Sequence, residues 1–225
     1  MNDVESDLIE TVTNPEFIPA ISEFAKVGLG AIFESELVQV LPVIKSIHTG
    51  MKGISTMQDR VFVKKLSSFL LQANQFTIEE KNAWYKKHIG VDSAKEEKLA
   101  EKLIIIIDSV NDTYKAKIIG KLFWAFVIGR IETMEEFFIL SEIVESCFTN
   151  VLSDLAEGKQ VPDEVLFRAG IMHASPSIKP QAIVDMLDEQ QRSARSRMTR
   201  MPQLREERPG FTAEGRLLVN ILQDT

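Results

Sequence analysis

The sequence predicts an all-α protein: a multi-helix bundle with a small C-terminal winged-helix-like or helical appendage. Three observations predict it. Apolar residues recur at three- and four-residue steps along most of the chain. Ser/Thr-x-x-Glu pairs open several of these stretches, namely Thr77 with Glu80, Ser93 with Glu96, and Thr133 with Glu136. Gly90, Gly129 and Gly158 fall where the stretches end. Before Gly158 no run alternates apolar and polar residues as a half-buried strand does.

Residues 1–15 read as an acidic lead-in ending at Asn14-Pro15, and 16–158 as the helical bundle. A first helix is expected over 16–33, since proline suits a first helical position. Ile18, Ile21, Phe24, Ala25, Leu29 and Ile32 form its apolar face, and Gly28 and Gly30 weaken it. A second helix is expected over 36–57 through Leu37, Val40, Leu41, Ile44, Ile47, Met51 and Ile54. Pro42 lies inside that pattern and should kink the helix or split it at Leu41. Asp59 is expected to cap a third helix over 60–73, with Phe62, Val63, Leu66, Phe69 and Leu70 inward.

The three capping pairs place helices over 77–89, 93–109 and 133–157, and a further helix spans 112–128. In the 93–109 helix, Leu99, Leu103, Ile104, Ile105, Ile106, Ile107 and Val110 leave little polar surface, so burial nearly all round is expected. In the 133–157 helix, Phe137, Leu140, Val144, Cys147, Phe148, Val151 and Leu155 make one long inward stripe. Phe123, Trp124 and Phe126 add large buried area between them. Residues 159–225 read as a C-terminal appendage. It holds a short helix over 163–172, another over 181–191, a loop or short hairpin over 191–210, and a last helix over 212–222.

Composition narrows the function. The 225 residues are 44% hydrophobic and 26% charged, which suffices for a core without disulfides or metal. Cys147 is the single cysteine, which excludes an intrachain disulfide and fits a reducing compartment. A net charge of −7 argues against bulk binding of nucleic acid by the whole chain. The first residues lack the basic-then-apolar order of a secretory signal, and no apolar run approaches the roughly 18 residues of a spanning helix. A cytoplasmic protein is expected, with peripheral membrane association as the alternative.

No catalytic constellation stands out, and the expectation is a non-enzymatic protein without cofactor or metal. His48, His88 and His173 are far apart in sequence, and none has a ligand partner at useful spacing. Cys147 sits on an apolar stripe and reads as a buried structural thiol. Glu79-Glu80 and Glu135-Glu136 occupy first helical turns, where negative charge favours the helix dipole. There is no Walker loop, Rossmann glycine pattern or serine elbow.

Two stretches carry functional expectations. The apolar hairpin 24–54, with Leu37, Leu41, Pro42, Ile44 and Ile47, is a candidate for docking on a membrane surface or a partner, against the plain reading of two core helices. Arg192, Arg195, Arg197 and Arg200 are candidate contacts to a partner or to phosphates of nucleic acid or lipid, against the plain reading of a solvated loop. The first expectation for function is therefore a helical interaction protein with a protein partner, homo-oligomerisation included. A membrane-active hairpin and nucleic-acid binding by the C-terminal module are the alternatives.

Several phrases carry a family resemblance. They are Leu41-Pro42-Val43-Ile44, Gln58-Asp59-Arg60 with Val63-Lys64-Lys65-Leu66, and Phe69-Leu70. Further on stand Lys115-Ala116-Lys117-Ile118-Ile119-Gly120-Lys121-Leu122-Phe123, Thr133-Met134-Glu135-Glu136-Phe137 and the closing Phe211-Thr212 phrase up to Leu218. Together they resemble a group of bacterial helical proteins of unassigned function, over residues 24–222. The resemblance implies a bacterial protein linked to mobile elements or phage defence. It supplies no catalytic residues.

Overall fold

A computed structural model describes residues 3–26, 40–50, 56–73, 77–90, 92–173 and 210–224. The helices run α1 Asp3–Thr13, a 3-10 turn Pro15–Phe17, α2 Ile18–Lys26, α3 Pro42–Gly50, α4 Met57–Ala73 and α5 Ile78–His88. They continue with α6 Ser93–Ser109, α7 Thr113–Val127, α8 Met134–Ser146, α9 Thr149–Ala156 and α10 Asp163–Arg168. Strands β1 Met172–His173 and β2 Gly210–Phe211 pair antiparallel, and α11 Ala213–Gln223 closes the series. The all-α expectation holds: that two-residue ladder is the sheet structure among the described residues.

Residues 3–13 correct the acidic lead-in. They form α1, with Leu8, Ile9 and Val12 buried. The acidic residues that looked like a solvated tail lie within this helix, whose apolar residues share one side, and negative charge near a helix start is favourable. Thr11 is fully buried. Its hydroxyl donates to the Asp7 carbonyl at 2.6 Å and accepts from the Val43 amide at 3.3 Å. Val43 is the second residue of α3, so α1 supplies one of the acceptors that a helix start lacks within itself. Ser46 of α3 donates to the Asp7 carboxylate, which adds a second polar tie.

At the break expected at Leu41, α3 begins at Pro42, where a missing N–H is harmless. Its predecessor segment 27–39 lies outside the described residues. Helix α4 begins three residues earlier than expected. Thr56 is its cap, accepting from the Asp59 amide at 3.1 Å, while the Asp59 carboxylate accepts from the Thr56 amide at 3.0 Å. Asp59 is thus the inner partner of a reciprocal box and not the cap.

The Thr77–Glu80 box is present as expected. At α6 the cap moves one residue. Asp92 accepts from the amides of Ala94 and Lys95, and the Glu96 carboxylate accepts instead from the Tyr85 hydroxyl at 2.8 Å. Thr133 caps α8 through the Glu136 amide, and the Glu136 carboxylate accepts from the Glu132 amide, one residue beyond the expected place. Gly90, Gly129 and Gly158 have φ of 64°, 81° and 69° and follow the ends of α5, α7 and α9. The end of α7 shows the paired bonds of a Schellman stop, from Gly129 to Phe126 and from Arg130 to Ala125.

One continuous core joins all this, from Leu8 in α1 to Leu222 in α11. Its middle is the α4–α7 pair, the most extensive helix contact among the described residues. Gly120 explains how close that pair comes: a Cβ there would lie 2.4 Å from the Phe69 carbonyl oxygen. Phe69, Trp84, Phe123, Phe126 and Phe137 gather around this contact, ring against ring at centroid distances of 5.5–6.0 Å. Lys65 of α4 is also buried and donates to the Asp108 and Val110 carbonyls at 2.5 and 3.0 Å. It places positive charge where the α6 dipole ends negative.

Helix α6 is not buried all round. Leu99, Leu103, Ile107 and Val110 are inside, whereas Ile105 is 58% exposed beside exposed Glu101, Lys102 and Asp108. Contacts with α1, α4 and α8 cover one side only. The C-terminal helix packs on the bundle: α11 lies against α7, α8 and α9, burying Leu218, Ile221 and Leu222. Thr212 caps it by accepting from the Gly215 amide at 2.8 Å, and its own amide donates to the Ile171 carbonyl at 3.0 Å. A Cβ on Gly215 would lie 1.9 Å from that same carbonyl oxygen. The Thr-x-x-Gly phrase is therefore a cap followed by a close backbone approach.

Candidate functional site at the joint between α8 and α9

The helix expected over 133–157 breaks in two. Cys147 and Phe148 take extended backbone, with φ/ψ of −76°/149° and −71°/141°. Side chains from the start of α7 hold the break. Lys115, buried, donates from Nζ to the Glu145 carbonyl at 2.7 Å, satisfying the end of α8. Asp112 accepts from the Lys115 amide at 2.8 Å, which caps α7, and its other oxygen accepts from the hydroxyl of Thr149, the first residue of α9. Burial pushes the Asp112 carboxyl up. The Thr149 hydroxyl, the Lys115 and Tyr114 amides and the Lys115 charge more than offset this, so it lies below its usual range.

This break corrects the inward stripe at one residue. Val151 and Leu155 are buried as expected, but Phe148 is 74% exposed. Two extended residues rotate the chain between α8 and α9, so a periodicity continued across them no longer points one way. A signal for this existed. Ser146, Cys147, Phe148, Thr149 and Asn150 form a run with no strong helix former.

Beside Phe148 lies a cleft of about 380 Å³ between the joint and α10. Val151, Val165 and Ala169 give it an apolar lining, Cys147 is at its floor, and Glu164 and Arg168 stand on its rim, paired at 2.6 Å. Cys147 is buried, in keeping with a structural thiol. Burial raises its pKa, while the Lys115 charge and the Phe148 amide pull the other way. The cleft offers apolar surface beside an exposed aromatic, which suits contact with another apolar side chain.

A second, more polar cleft of about 360 Å³ lies among α1, α5 and α6, lined by Glu10, Lys81, Tyr85 and Glu96. Burial lowers the Lys81 pKa, opposed by the Glu10 charge. Burial and then the Glu96 hydrogen bond and charge raise that of Tyr85. The Tyr85–Glu96 bond joins α5 to α6, and this cluster acts as an inter-helix tie.

The expected site residues divide. Leu41, Ile44 and Ile47 are buried against α1, and Pro42 is half-buried. Leu37 lies outside the described residues, as do Arg192, Arg195, Arg197 and Arg200 and the helix expected over 181–191. The short helix expected over 163–172 ends at Arg168, and Met172 instead opens β1. Strand β2 pairs with β1, which sets His173 opposite Gly210.

His88 packs its ring 4.7 Å from that of Phe126. Burial and then the Lys87 charge lower its pKa. The side chains of His48 and His173 are outside the described set. Among the described residues no group of three or more His, Cys, Asp or Glu side chains is placed to hold a metal ion. Among them, too, no helix is long and apolar enough to cross a membrane. No known protein family, curated protein or solved structure matches this chain.

Proposed function

We propose that this chain is a non-enzymatic helical interaction protein, and that it docks a protein partner at the α8–α9 joint. The observation that carries the reading is Phe148, a large apolar side chain held out into solvent next to an apolar cleft. Exposing a phenyl ring sacrifices roughly 1.5–3 kcal/mol of burial. The joint that exposes it is built by three side chains, Asp112, Lys115 and Thr149, rather than by a slack loop. Aromatic anchors beside pockets are where binding energy concentrates in protein interfaces.

The membrane alternative relies on side chains that the core already uses. Releasing Leu41, Ile44 and Ile47 to a bilayer would withdraw three buried groups, each worth roughly 1.5–3 kcal/mol, and would cut the Thr11 and Asp7 ties to α3.

Affinity capture with the intact chain, run beside Phe148→Glu and a Lys98→Glu control on exposed α6 surface, tests the proposal. At least one protein is expected to be retained by the wild type and the control and lost with Phe148→Glu. Identical retention on all three would reject the joint as the docking site.

A further inference from the structure

Phe148 forms one wall of the cleft and stands 74% exposed above it, so one surface carries both a knob and the hole it borders. A surface of that kind can meet a second copy of itself about a twofold axis, because each knob then faces the other copy's hole. The rim charges obey the same rule. Glu164 and Arg168 are one turn apart on the exposed side of α10, while Leu166, between them in sequence, is buried on the opposite side. Two such helices packed antiparallel about a twofold set Glu164 of each copy against Arg168 of the other. The acid and base that pair within one chain at 2.6 Å would then form a four-charge cluster. Parallel or unrelated placements lack that match.

We infer that the occupant of this cleft is a second copy of the chain: an isologous dimer in which each Phe148 enters the other copy's cleft and the Glu164–Arg168 pairs cross the axis. The inference rests on the docking reading above and names its partner. The cleft, at about 380 Å³, has room for an aromatic side chain. Polar and paired charges around a central apolar anchor are the usual anatomy of such a contact.

Sedimentation velocity of the full chain over a concentration series tests it. A monomer–dimer equilibrium is expected, and Phe148→Glu should raise its dissociation constant at least about tenfold. The charge prediction is sharper. Arg168→Glu leaves the rim acidic only, and Glu164→Arg leaves it basic only, so each variant alone should sediment as monomer. An equimolar mixture of the two should form a heterodimer, and the double exchange Glu164→Arg/Arg168→Glu should dimerise like the wild type. Unchanged far-UV circular dichroism and melting would show that each variant is folded. A wild type that stays monomeric throughout, or a dimer indifferent to Phe148→Glu, Arg168→Glu and Glu164→Arg, overturns the inference. If the wild type is monomeric while a captured protein still depends on Phe148, the docking reading stands and only the choice of partner falls. If the dimer behaves as expected and no other protein depends on Phe148, the site serves self-association.

Discussion

Phe137 and Phe148 are eleven residues apart, at positions that share one apolar stripe in the sequence, yet they end in opposite environments. Phe137 sits within α8, fully buried among Phe123, Phe126 and Phe138. Phe148 lies just past the end of that helix, mostly in water. Chemistry does not distinguish them. Continuity of the helix does: within α8 the periodicity keeps its direction, and beyond Cys147 it starts again from a new axis. A region that is pure core and one that is candidate surface thus differ by a break that α7 imposes on them.

The largest effect expected from testing that contrast is at the core end. Phe137→Ala should cost about 3–5 kcal/mol in denaturant unfolding, since it removes a ring from a packed aromatic cluster. A loss under 1 kcal/mol would mean that the cluster is loosely packed and the contrast overstated. Next comes Gly120→Ala. Its new Cβ meets Phe69 backbone at 2.4 Å, which cannot swing aside as a side chain would, so about 1–3 kcal/mol of destabilisation is expected. An alanine chain as stable as the wild type would show that α4 and α7 can part at little cost.

At the joint itself, Asp112→Ala should cost about 0.5–2 kcal/mol by removing the α7 cap and the Thr149 tie together. The pH dependence goes with it. A carboxyl whose folded-state pKa is depressed contributes stability above its unfolded value and loses it as pH falls through the folded one. Acid titration of stability below the ordinary carboxylate range should therefore be shallower in Asp112→Ala than in the wild type, and parallel curves would remove Asp112 from the account. The smallest effect is at Phe148. Phe148→Ser, measured at concentrations where the chain is monomeric, should change stability by no more than about 0.5 kcal/mol. A loss like that of Phe137→Ala would place its ring in the core and dissolve the contrast.

Much of the helix layout was legible beforehand because its signals are local. Thr77 with Glu80 and Thr133 with Glu136 act across three residues, and Gly90, Gly129 and Gly158 each act on the helix turn just before them. Even where the reading slipped, as with Asp92 for Ser93 or Thr56 for Asp59, the true cap was one to three residues away. Helix α1 was missed for a different reason: its acidic residues mask a short apolar face that is completed by packing on α3 and α6. The candidate site was barely legible. Phe148 was read as core, and the weak helix formers from Ser146 to Asn150 were its single local sign.

The sequence by itself determined that the chain is helical, where most helices start and stop, and that Phe123, Phe126 and Phe137 are core. These follow from backbone groups that satisfy themselves within a turn and from apolar spacing along one axis. The same reading named Trp124, which is only half-buried, and missed Trp84, which completes the aromatic centre. Tertiary structure decided that α8 and α9 separate, that α6 keeps one wet side, and that Phe148 faces out. The first and last depend on partners far along the chain, Lys115 reaching Glu145 and Asp112 reaching Thr149, and the wet side of α6 depends on which helices pack against it. Such pairings exist only after distant segments pack. Until then a helix end and the helix that might have continued it read alike.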